Sequence, residues 1–310
     1  MYDAIVVGGG PAGLTAATWL ARYRRRTLLV DGGEHRNRWV EQSHGYFTRD
    51  PASPRELLAY ASEQLAAYPY AERVSGLATA VARSAAGFDV TVDGTAYPGL
   101  RLVLATGVAD AFPAVEGFFD HYGTSVFHCP TCDGYEARGR NVVVLGWSEH
   151  VAAFAVSLLD WAATVTIVTD GRPFPGDASV AESYGVRVVE DVAERFVGPR
   201  GDLRCVALRA GGDLPCEMAF FSVAHKPRNA LAASLGAELT SEGCVRVDAE
   251  YATSVPFVWA CGDVVPGMQL IQVAAASGAV AGISAAQSLR GERGAPASPE
   301  PAPDPGEIAP

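Results

Sequence analysis

The sequence predicts an α/β protein made of two Rossmann-like, three-layer dinucleotide-binding units, the second inserted into the first. Three observations predict it. Asp3 to Val7 ("DAIVV"), "GGGPAG" and "TLLVDGG" read as a buried strand, a glycine-rich turn into an alanine-rich helix, and a second strand ending in Asp31. "NVVVLG", a helix from about Glu149 and "ATVTIVTDG" repeat that order in mid-chain. A last block, "CVRVDAEYATSVPFVWACGDVV" followed by the apolar helix "QLIQVAAASGAVAGISAAQSL", returns to the style of the first.

The elements between follow from local signals. "PASPRELLAYASEQLAAY" has helical periodicity, with Ser53 placed to cap it and Pro54 suited to its first turn. "FDVTVDGTAYPGLRLVLATGV" alternates like a hairpin and then runs as a strand into Thr106 and Gly107. A proline-containing connection, Phe112 to Gly117, leads into the second unit. The expected bounds are 1–113 with 246–293 for the outer unit and 114–245 for the inserted one. Residues 294–310 are proline-rich and expected to be disordered.

Composition narrows the function classes. The chain has 310 residues, 49% of them hydrophobic, enough for two cores. A formal net charge of -11 argues against nucleic-acid or anionic-membrane partners, which select basic faces. Lys226 is the only lysine, a compositional bias from which no function is read. No apolar run reaches the length of a membrane span. The first strand begins at Tyr2, so no signal peptide is expected, and a reducing cytoplasm is the expected compartment. Six cysteines in a chain this long do not make a disulfide scaffold. Cys205, Cys216, Cys244 and Cys261 sit in mostly apolar stretches and are expected to be buried and inert.

Gly8, Gly10 and Gly13 form GxGxxG at a strand-to-helix turn. The first glycine permits the turn, the second lets backbone approach a pyrophosphate and the third allows close helix packing. Asp31, ending the next strand, is placed to accept ribose hydroxyl bonds. The second unit keeps the layout and loses the chemistry. Gly146 is retained, Trp147 follows it, Ser148 replaces the second glycine and Val151 takes the third small position. A carboxylate at Asp170 opposes a 2'-phosphate, so NADPH is disfavoured; Asp170 fits either an NAD ribose ligand or a turn residue before Gly171, and reads better as the turn residue. Trp147 is a candidate to fill the vacated nucleotide space, and Glu149 and His150 to cap the following helix.

"FHCPTCDGYE", Phe127 to Glu136, carries the reactive pattern. Pro130 suits a first helical turn, which puts Cys129 at or beside the N-cap. Residues three apart on a helix share a face, close enough for a disulfide. A helix N-terminus favours the thiolate, and Asp133 is placed to hold the proton that moves when such a pair opens or closes. Zinc needs four ligands; one CxxC gives two, His128 or His121 offers a third, and there is no second CxxC. An inert structural disulfide fits poorly with a cytosolic chain of this size. No metal site is expected, and His128 reads as a packed residue or a neighbour of a thiolate.

The motifs "VVGGGPAG", "LATG", "CPTCDG" and "CGDV" resemble, in order and spacing, those of low-molecular-weight thioredoxin reductases, to about Arg290. The resemblance implies FAD on the outer segments and a redox CxxC on the inserted domain, which in that family also binds NADPH. It implies that Cys132 lies nearest the flavin, that Cys129 attacks the substrate disulfide and that Asp133 is the acid/base. Asp263 would hold the ribityl chain, and the backbone at Leu270 and Ile271 would face the ring. Pro11, Ala12, Gly107 and Gly262 join the cofactor site through the same motifs. "VTDGRPF" lacks the family's arginine cluster for the 2'-phosphate. "DGGEHRNRWVEQSHGYFTRD", "AHKPRNALAASLG" and "GMQLIQVAAASGAVAG" resemble the offshoot containing the gliotoxin and holomycin dithiol oxidases, which adds Arg36, Asn37 and His44 to the FAD site. Asp133 follows Cys132 as in the reductases.

Three functions fit. One is an FAD enzyme exchanging two electrons between a small dithiol or disulfide and the cysteine pair, with oxygen, ferredoxin or another donor as the other partner. Another is an NAD(P)H-dependent thioredoxin reductase acting on a thioredoxin-like protein. The third is a non-catalytic flavin-binding redox sensor. A homodimer is expected in each case.

Overall fold

The computed structural model describes residues 1–290; expectations for residues beyond these, the proline-rich tail among them, lie outside the described residues. The chain opens with β1 (Tyr2–Val7), α1 (Pro11–Arg22) and β2 (Thr27–Asp31). It continues through α2 (Pro54–Ala66), β3 (Ala71–Ser75), β4 (Ala78–Ser84), β5 (Gly87–Val92) and β6 (Thr95–Leu104). After β7 (Val108–Ala111) come α3 (Phe118–His121), β8 (Val126–Phe127), α4 (Pro130–Asp133) and β9 (Asn141–Gly146). Next are α5 (Val151–Leu158), β10 (Thr164–Val168), α6 (Ala178–Ser183) and β11 (Arg187–Val189). Then follow β12 (Ala193–Val197), β13 (Cys205–Leu208), β14 (Asp213–Pro215) and β15 (Met218–Ser222). The chain closes with β16 (Ala224–Pro227), α7 (Ala230–Ser234), β17 (Val258–Ala260) and α8 (Ile271–Ser288).

β6 organises the outer sheet by serving two neighbourhoods. Its C-terminal half lies parallel to β1 and β17, and β1 continues in parallel to β2 and β3. Its N-terminal half pairs antiparallel with β5, which pairs with β4. A parallel strand buried on both faces needs apolar residues throughout, and β1 ("YDAIVV") and β2 ("TLLVD") supply them. One face is covered by α1 and α8, whose alanines and Leu14 and Leu20 pack with Val103 and Trp259. The other face holds Ile5, Phe88, Val90, Leu102 and Val258. Leu231, Ala232, Ala237 and Val245 pack in that same core, ahead of residue 246 where the sequence placed the chain's return.

The inserted sheet runs β11-β10-β9-β15-β8, parallel throughout. α5 and α6 cover one face. On the other, α3 and the antiparallel β12-β13-β14 sheet bury Phe118, Phe196, Leu203 and Val206. α5 starts at Val151, later than the expected Glu149, and His150 stands at its N-cap without a side-chain bond, so the expected capping is not made. Ser53 likewise occupies the N-cap of α2 without bonding it. The two crossings between units, β7 and β16, pair antiparallel with Lys226 opposite Ala109.

Candidate active site

The turn after β1 is built as its glycines require. Gly8 has φ +117°, and a Cβ there would run into the Ala105 carbonyl. A Cβ on Gly13 would strike the Gly8 carbonyl, so the third glycine lets α1 lie against the strand. Gly10 has nothing within 4 Å of where its Cβ would be, and it faces open space. That space is a cavity of about 610 Å³.

The cavity gathers nearly all the site residues predicted from sequence. Gly8, Gly10, Pro11, Ala12, Asp31, Arg36, Asn37, His44, Gly107, Gly262, Asp263, Leu270 and Ile271 line it, and so do Cys129, Cys132 and Asp133. Gly13 is the exception, being packed beneath the turn. The N-termini of α1 and α8 both open here, through Pro11 and Ala12 on one side and Leu270 and Ile271 on the other. Two converging helix N-termini bring unpaired amides and partial positive charge, which suits the phosphates of a dinucleotide. Asp31 accepts from Gly33 N (2.8 Å) and pairs with Arg73 (2.7 Å), leaving lone pairs for a hydroxyl. The open cradle at Gly10, the helix ends and the acid fit FAD.

Arg36 is committed to protein side chains. Its guanidinium donates to Asp110, Asp263 and Gln269, the last at 2.6 Å, and Gln269 meets His225 at 3.2 Å. Burial would raise the Asp110 carboxyl, but its hydrogen bonds and charge contact with Arg36 outweigh that and lower it. Asp263 goes the other way: burial raises it and Arg36 offsets only part. Asp110, His225 and Gln269 were missed from sequence because nothing local marks them.

Cys129 is the N-cap of α4, and its Sγ accepts from Cys132 N at 3.1 Å. The two sulfurs are joined in a disulfide with Cα atoms 5.2 Å apart. Burial, then the charge of Glu136, pushes the Asp133 carboxyl up to about 7, where it can give or take a proton near neutral pH. His128 behaves differently. Burial, helped by the Arg36 charge, pushes its imidazole down to about 4, and Nδ1 meets the Tyr122 hydroxyl at 3.1 Å. It is a packed, neutral residue. The remaining cysteines are unreactive by comparison: burial raises all four thiols, Cys216 and Cys261 to about 12. Cys205 and Cys244 are only half-buried, contrary to expectation.

In the inserted unit Gly146, like Gly8 in the first turn, has no room for a Cβ, but Ser148 stands where the first turn has Gly10. A Cβ on Gly146 would meet Val151 Cγ2 at 2.7 Å and Ser222 O at 2.9 Å. The Arg172 guanidinium lies 4.3 Å from the Trp147 ring centroid. Asp170 has φ +58° and Gly171 φ +69°, the backbone of a tight turn.

The pyridine nucleotide-disulphide oxidoreductase family matches residues 2–278. Thioredoxin reductase sirT of Leptosphaeria maculans is 31% identical over 91% of this chain and 92% of its own length. The crystal structure of HlmI superposes with a TM-score of 0.87 at 33% identity, covering 93% of this chain and 92% of that one. The putative thioredoxin reductase TrxB of Bacillus anthracis gives 0.88 at 27% identity, covering 94% and 99%. A cysteine pair and a dinucleotide cradle opening on one cavity are what such a likeness demands, and the chain belongs to the pyridine nucleotide-disulphide oxidoreductase family as a thioredoxin reductase-like, FAD-binding enzyme acting on disulfides.

Proposed function

We propose that the protein is a dithiol oxidase: it takes two electrons from a small dithiol through Cys129 and Cys132 and passes them on without NADPH, with oxygen as the acceptor. The observation that carries this reading is the turn after β9, where Ser148 stands in place of the cradle's second glycine and the neighbouring Trp147 ring is stacked on Arg172. Asp170, held in a turn, adds a carboxylate where a 2'-phosphate would need cations.

In this reading the glycine cradle, Asp31, Asn37, His44, Asp263 and the N-terminus of α8 hold FAD. Bound FAD supplies a two-electron acceptor. Cys129, at the N-cap of α4, exchanges with the substrate sulfurs, Cys132 closes the disulfide, and Asp133 holds the proton at the sulfur that leaves.

A second reading, a thioredoxin-disulfide reductase, is favoured by Asp133 following Cys132 directly and by the names of the relatives. Anaerobic mixing separates the two. A small dithiol such as dithiothreitol should bleach the flavin absorbance and NADPH should not, and oxygen uptake should follow dithiol addition. Rapid bleaching at micromolar NADPH would establish the reductase reading instead.

A further inference from the structure

We propose that His44 and Glu136 extend the buried Asp133 carboxyl into a proton path that leads from the cysteine pair to solvent at Asp50. The inference rests on the sulfur-exchange reading above.

Exchange with a dithiol moves protons as well as electrons. The Cys129–Cys132 bond breaks and a sulfur–sulfur bond forms in the dithiol. Two electrons pass to the cysteines, two protons leave the dithiol sulfurs, and two arrive on Cys129 and Cys132. Each attack needs a thiolate, and each leaving sulfur needs a proton. One buried carboxyl can hold only one of these protons at a time.

Asp133 is 6% exposed, and what surface it keeps lines the cavity. No hydrogen bond contributes to its raised affinity for protons, which comes from burial and from Glu136. Glu136 lies three residues on, in the short helical turn Tyr135–Ala137 that follows α4. Its Oε2 is buried and has no hydrogen-bond partner, and its Oε1 lies 3.7 Å from His44 Nε2. The other ring nitrogen of His44 is 3.4 Å from Asp50 Oδ1, on a side chain that is 59% exposed. His44 itself lines the cavity. An imidazole with one nitrogen toward a half-buried carboxylate and the other toward a more exposed one can take a proton on one side and release it on the other. The charged or titratable groups facing the path are Glu136 and Asp50 on either side of His44, and Tyr122, which senses the Asp133 charge.

A merely structural role is the competing explanation, since His44 also ties the segment around residue 44 to the turn after α4. The test therefore reads proton transfer. Holoenzyme is mixed anaerobically with excess dithiothreitol, quenched with a maleimide at short times, and the opened disulfide counted by mass. At neutral pH, His44→Ala should slow opening roughly 10- to 100-fold. Added imidazole should restore much of the rate, and sodium chloride at the same ionic strength should not. In Glu136→Gln the lost charge lets Asp133 ionise at lower pH, so the pH profile of opening should move down. An unchanged rate in His44→Ala, or a loss that imidazole does not repair, overturns the inference. Should His44→Ala not fold, an unmoved profile in Glu136→Gln does so. Failure of the wild-type disulfide to open with dithiothreitol would instead sink the sulfur-exchange reading itself.

Discussion

Arg36 and Asp110, 74 residues apart in sequence, form a two-point ion pair, Nε to Oδ2 at 2.9 Å and Nη2 to Oδ1 at 2.7 Å. The same guanidinium reaches Asp263 at 3.0 Å, so one cation holds a crossing strand and the cavity floor together. Arg36→Ala should strand two buried carboxylates and cost about 3–5 kcal/mol in denaturant unfolding, with loss of retained FAD. Because Arg36 lowers the Asp110 carboxyl, the stabilisation is present at neutral pH and disappears as pH falls below the usual carboxylate range. Wild type and variant should therefore converge in stability on acidification; a constant gap at all pH values would show that the pair is not responsible.

Asp133→Asn should slow disulfide opening about 10²–10⁴-fold while making the protein more stable at alkaline pH. The folded-state carboxyl sits up at about 7, so wild type loses stability as pH rises from the ordinary carboxylate range through that value. The asparagine variant escapes this loss, by about 4 kcal/mol at most above pH 7. Paired unfolding curves at acid and alkaline pH check the sign; equal stability at both would mean that Asp133 is not held protonated.

Removing Trp147 should not create an NADPH enzyme. In Trp147→Ala, Ser148 still stands at the second glycine position, and Asp170 still carries its negative charge. Anaerobic flavin bleaching by NADPH should remain slow in the variant, and fast bleaching would identify the indole as the sole obstacle.

Gly278→Ala should unfold the cavity wall. Its Cβ would enter the Ala12 carbonyl, which is backbone and cannot rotate away. α1 and α8 would have to separate, at a cost of roughly 1–3 kcal/mol or more, and FAD should be lost more readily on dilution. Thermal melts with and without added FAD read both effects.

The architecture and most of the cavity wall were legible because they depend on local pattern. A buried parallel strand, a glycine turn and an amphipathic helix each announce themselves within a dozen residues, and CPTC carries its own geometry. What could not be read depends on distance in the chain. Asp110 gains its meaning from Arg36, Gln269 from the same guanidinium, and Glu136 from His44, and no spacing rule connects these positions. The start of α5 was misplaced by two residues because Glu149 and His150 look like a first turn, while the loop that holds Trp147 ends only at Val151.

The two crossings between the units have a bearing on how the chain folds. Arg228 N bonds Gly107 O at 2.8 Å, and Thr106 Oγ1 bonds Arg228 O at 2.7 Å, so the inserted segment leaves and re-enters at nearly one point. Once that segment has folded, its ends are already neighbours, and the outer sheet closes over a short effective loop instead of a long floating one. The later strand β17 then finds β6 at little entropic cost. By the same geometry, a chain spliced from Gly107 directly to Arg228 would keep the outer sheet intact, a nucleotide cradle freed of its sulfur chemistry.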